Sequence, residues 1–104
     1  MSGVANPARG EAGLQVGGET LVLRPSFEAL VAAEEELGPL FALVERAAEG
    51  RLRVSEIAAL FWHCAPQGKA SREAVGAAIA EVGLAGVSPV LKRLLGQILQ
   101  GRGR

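Results

Sequence analysis

Aspartate and tyrosine are missing from this 104-residue chain, and cysteine, histidine, methionine and tryptophan occur once each. A lone cysteine, Cys64, cannot close an internal disulfide, so a disulfide framework is excluded and stability has to come from packing. One histidine and one cysteine also fall short of the about three or four ligands that a zinc site needs, so neither a catalytic nor a structural metal is expected. Charge of one sign is absent in the net: eleven Lys and Arg balance eleven acids, all glutamate. No long-range field then draws the chain to nucleic acid or to an anionic membrane, and partners have to be recognised by shape. Glu, Arg or Gly interrupts every apolar run well before about 18 residues, so no membrane span and a soluble chain are expected. Met1-Ser2-Gly3 leads into a polar stretch instead of a basic region followed by an apolar one; no secretory signal and a cytoplasmic setting are expected.

What is present is apolar material, 49% of the residues, enough to fill one modest core. Residues 1–10 have turn chemistry without periodicity and read as a flexible N-terminal arm. From 11 to 24 the pattern alternates, with Ala12, Leu14 and Val16 on one face, Gly17-Gly18 as a two-residue turn, and Leu21 and Leu23 on the matching face: a β-hairpin. A lone hairpin is marginal in water, so its apolar face has to lie on helices. Five follow, at 26–37, 39–49, 55–65, 71–82 and 88–100, punctuated by Gly38, Gly50, Pro66 and Gly83. Ser26, Ser55, Ser71 and Ser88 are the expected N-caps, the last with Pro89 as the first helical residue. Phe27, Leu30, Val31, Glu34 and Leu37 share helical spacing in the first helix, which puts Phe27 with Phe41 and Phe61 at core spacing. Residues 101–104 form a basic tail. The expected fold class is α+β, mainly α, with an N-terminal hairpin packed on a bundle of about five short helices in a single domain over 11–100.

The candidate chemistries fail on spacing. His63 and Cys64 are adjacent, and neighbouring helical side chains diverge by about 100 degrees, so the imidazole is badly placed to take the thiol proton. Cys64 is expected to pack as a small hydrophobe, with His63 at the rim. Gly68-Lys69 lacks the Ser or Thr directly after Lys, and the earlier glycine, that a phosphate loop requires. Glu34-Glu35-Glu36 read as a solvated helix face. Arg51, Arg53, Arg102 and Arg104 form at most a small basic patch without an aromatic stacking platform. No catalytic residue, cofactor, nucleic acid or small-molecule substrate is expected.

Two features point instead to protein contact. Trp62 follows Phe61; if Phe61 faces the core, Trp62 stands at its edge, where tryptophan is a frequent interface anchor. The last helix has a broad apolar side, Val90, Leu91, Leu94, Leu95 and Ile98, with more area than one neighbour needs. These six residues are the expected protein-binding set, toward a partner or a second copy.

The order of elements also carries a family resemblance. The arm Asn6-Pro-Ala-Arg-Gly-Glu11, the hairpin, Leu23-Arg-Pro-Ser-Phe-Glu-Ala-Leu30, then Glu34 and Leu37-Gly38, followed by Ala48-Glu-Gly-Arg-Leu52 and Val54-Ser-Glu-Ile-Ala-Ala-Leu60, resemble the small gene transfer agent and phage tail proteins. The resemblance covers residues 5 to 65 well and the final helices only in pattern. It implies a non-enzymatic part of tail building, either a tail assembly chaperone that coats the tape-measure protein or a structural tail tube or connector subunit of the particle. A tube subunit is usually expected to bring a β-sandwich to its ring, which one hairpin does not obviously supply; the chaperone is the expected role, bound to the tape-measure or another tail protein, with a homo-oligomer as a further expectation.

Overall fold

The computed structural model describes residues 11–101; the expected arm over 1–10 and the end of the basic tail lie outside them. Strands β1 (Ala12–Val16) and β2 (Glu19–Leu23) pair antiparallel, Ala12 opposite Leu23 and Leu14 opposite Leu21. The connecting Gly17 and Gly18 both have positive φ, 57° and 85°, as the type I′ turn demands for the twist of a hairpin. Register then sets the faces: Ala12, Leu14, Leu21 and Leu23 are buried together against the helices.

Helix α1 (Phe27–Leu37) begins at Ser26, whose hydroxyl accepts from the Ala29 N–H at 3.2 Å, and ends where the Gly38 N–H donates to the Glu34 carbonyl. Its extent matches expectation, but its rotation does not. Ala29 and Ala33 face inward, whereas Phe27 and Val31 are exposed. Small residues at i and i+4 let α1 lie close to its neighbour α3, and that contact outweighs the larger side chains flanking it.

Helix α2 (Leu40–Ala48) buries Leu43 and leaves Phe41 outside. Pro39 caps it from outside the helix, and the Glu34 carboxylate of α1 accepts the orphan Leu40 N–H at 3.1 Å. Helix α3 (Val54–Cys64) starts one residue before the expected Ser55. Glu56 takes over the capping: its carboxylate accepts the Arg53 N–H at 2.9 Å and is clamped by Arg46, so Ser55 sits exposed inside the first turn.

Helix α4 (Arg72–Val82) is capped by Ser71, which accepts the Ala74 N–H at 3.0 Å. Helix α5 runs Leu84–Gln100, four residues earlier than the Ser88-Pro89 start expected from the sequence. Gly83, at φ 91° and ψ 153°, reverses the chain in one residue, and its carbonyl already accepts the Val87 N–H at 3.0 Å. The two helices bend by 120° at this point. Pro89 therefore lies inside α5 and withholds the donor that the Ala85 carbonyl would have accepted.

The core is shared by all these elements, with Phe61, Leu23, Leu43, Leu60, Ile79, Leu94, Val75 and Val87 its largest fully buried side chains. No single helix is long and apolar enough to cross a membrane among the described residues.

Candidate functional site

Because α3 turns Ile57, Leu60, Phe61 and Cys64 into the core, the intervening Trp62 and His63 stand on its flank. Trp62, expected at the edge of the core as an interface anchor, is half-buried and held on three sides. Its indole N–H donates to the Ala70 carbonyl at 3.2 Å, the Arg72 guanidinium lies 4.5 Å from its ring centre, and the His63 ring meets it edge-on at 5.0 Å.

Glu36, expected to be a solvated acid, completes this cluster from α1. Its two oxygens contact His63 Nε2 at 2.8 Å and the Arg72 guanidinium, tying α1, α3 and α4 together. The hydrogen bond from Arg72, followed by that from His63, holds its carboxyl down at about 2. The partner effect raises the Arg72 guanidinium further above its usual range.

Beside the cluster, β2, the first half of α1, the end of α3 and the 65–70 loop enclose an open groove of about 770 Å³. Val22, Ala29, Ala32, Trp62 and Pro66 give it apolar walls, and Arg24 and Glu28 stand among its polar lining. The Arg24 N–H donates to the Cys64 carbonyl at 2.8 Å, fixing the end of α3 beside β2, while the Arg24 side chain is held by buried Glu11.

Cys64 is turned into the core, where desolvation pushes its thiol up to about 12. The His63 Nε2 is engaged by Glu36, so the adjacent imidazole and thiol serve different neighbours. Among the described residues, no three His, Cys, Asp or Glu side chains converge as metal ligands.

The expected surface on α5 divides. Leu94 and Leu95 are buried in the core, because the early start and the bend at Gly83 lay α5 across α4, α2 and β1. They have no area to offer a partner without unpacking the domain. Val90, Leu91 and Ile98 are half-buried around them. Phe27 and Phe41 were missed as surface residues: they are 81% and 75% exposed. The readable signal was the Ala29/Ala33 pair, an alternative inward stripe on the same helix.

The described residues form a small, mainly helical α+β domain with an open groove of mixed polarity and with Phe27 and Phe41 turned outward. The family model described as "Phage tail tube protein, GTA-gp10" matches residues 9–101, and the chain belongs to that family of phage and gene transfer agent tail proteins. Among curated proteins and among solved structures, nothing matches.

Proposed function

We propose that this tail protein acts as a tail assembly chaperone, holding the tape-measure protein in the cytoplasm of the producing cell until tube subunits replace it. The observation that carries this reading is the groove beside Trp62: a lining of mixed polar and apolar character, a rigid aromatic held by Arg72 and Ala70, and, among the described residues, a cysteine turned away from it into the core. Such a site suits an amphipathic segment of another protein, its apolar side against Trp62 and its polar groups toward Arg24 and Glu28. The sheet supports the same choice, since the two strands among the described residues are a poor start for a ring of strands lining a tube.

The test is mass spectrometry of purified particles together with co-purification of the tape-measure protein from producing cells. A chaperone is absent from finished particles and is retained by the tape measure; Ala32→Arg, which fills the groove from its half-buried wall, abolishes that retention. Stoichiometric incorporation overturns the chaperone reading. It would favour a structural tube or connector subunit, the reading that the family's own description supports.

A further inference from the structure

The zero net charge of this chain conceals an acidic and a basic pole along the sequence. Residues 27–49, which include α1 and α2, carry six glutamates and one arginine, a net of −5, whereas residues 84–104 carry Lys92, Arg93, Arg102 and Arg104 with no acid. Part of the acidic charge is used internally: Glu36 by His63 and Arg72, Glu49 by Arg51, Glu34 by the Leu40 N–H. Glu28, Glu35 and Glu45 keep no ionic partner among the described residues, and neither do Lys92 and Arg93. Among the described residues, the exposed charges Glu28 and Glu35 of α1 and Lys92 and Arg93 of α5 are therefore not neutralised within one molecule.

Each pole also has an apolar stripe. On α1, Phe27, Val31 and Glu35 are exposed at successive i, i+4 positions, with Glu28 beside them; on α2, exposed Phe41 is one turn from Glu45. On α5, Ala85, Pro89, Lys92, Gly96 and Leu99 are all exposed and follow one another at intervals of four, three, four and three residues, a single outward line. A Cβ added at Gly96 would meet nothing within 4 Å, so no described neighbour covers the line at that point.

We infer that a second copy of this chain docks its α5 stripe on the α1 stripe, helices antiparallel, with Phe27 against Gly96 and Leu99 and Glu35 against Lys92. The spacings agree: Phe27 to Glu35 spans about 12 Å of helix and Leu99 to Lys92 about 10.5 Å. The two surfaces are different patches of the same chain, so each copy offers both halves of the contact, and association closes as a two-fold pair or continues from copy to copy. Each large aromatic side chain buries about 150–250 Å², so a contact built on Phe27 and its neighbours stays below the standard ~800 Å² per partner, and association is weak and concentration-dependent. The inference stands apart from the choice between chaperone and tube subunit.

Sedimentation velocity of the isolated chain over about 10 to 300 μM, a range set by the weak affinity of small interfaces, tests it. Oligomers that grow with concentration and recede with added salt are expected. Glu35→Lys and Lys92→Glu each weaken association about tenfold, Phe27→Ser removes it, and the double variant Glu35→Lys/Lys92→Glu, in which the reversed charges meet again between copies, restores it. Circular dichroism and thermal melts report whether every variant folds, as exposed positions permit. A monomer throughout, single reversals without effect, or a double variant that fails to recover overturns the inference. So does a monomer whose Phe27→Ser variant alone stops tail production, since the stripe then serves a different protein.

Discussion

Leu94 separates a core residue from a surface one on the same helix, and its replacement tests the placement of α5. Its side chain is fully buried, whereas Leu99, little more than a turn away, is 51% exposed. Leu94→Ala deletes three buried carbons, about 2.4 kcal/mol at ~0.8 kcal/mol each. The void they leave adds about 24 cal/mol per Å³, so a residual cavity of ~50 Å³ contributes about 1.2 kcal/mol more. The expected loss is about 3–4 kcal/mol, a large share of the ~5–15 kcal/mol available to a domain of this kind. Leu99→Ala removes the same carbons from a half-solvated site without leaving an enclosed cavity, and about 1 kcal/mol or less is expected. Urea unfolding followed by Trp62 fluorescence measures both, provided the m-value is unchanged so that midpoints convert to free energies. A Leu94→Ala loss below about 1 kcal/mol, or equal losses at the two positions, would refute the inward assignment of Leu94 and with it the bend that places α5.

Three further outcomes follow from the same geometry. Glu36 has its carboxyl held at about 2 instead of 4.5, so its stabilising contribution is complete above pH 4.5 and is lost as pH falls towards 2. Because that side chain is 39% exposed, solvent screening reduces the contribution to about 1 kcal/mol; Glu36→Gln is expected to lose that amount at pH 7 and to flatten the acid side of the stability profile, and an unchanged profile counts against the clasp. Gly83→Ala forces a β-carbon into a backbone region at φ 91° and ψ 153° that side chains avoid, so a loss of about 1–3 kcal/mol in thermal or urea unfolding is expected, and a neutral substitution would exclude the one-residue reversal. Alkylation of Cys64 by iodoacetamide at pH 8 is expected to follow global unfolding, because the thiol is buried and pushed up to about 12; labelling as fast as that of a free cysteine in the native protein would contradict the packing of α3.

Local physics made much of the architecture legible in the sequence. Gly17-Gly18 between alternating strands specifies the hairpin because only that turn has the twist the strands need. Ser26 and Ser71 specify helix starts because their hydroxyls satisfy orphan N–H groups, and Gly38 and Gly83 specify stops; all of these were readable and are found. The succession from hairpin to α3 also carried the tail family, to which the chain belongs. Tertiary structure decided what local patterns leave degenerate. Two capping devices compete at α3, and Glu56 prevails over Ser55 because Arg46, ten residues earlier, holds its carboxylate in place. Two starts compete at α5, and Gly83 prevails over Ser88-Pro89: the longer helix adds buried Val87 to Leu94 and Leu95, which either start includes. Two stripes compete on α1, and the alanines prevail over Phe27 and Val31 because close approach to α3 is settled by the partner helix, which periodicity within α1 cannot describe. The same choices placed Trp62 in a clasp, hid Leu94 and Leu95, and turned Phe27 and Phe41 outward. Helix and turn identity is thus set by neighbours in the chain, whereas the face each helix presents is set by what packs against it.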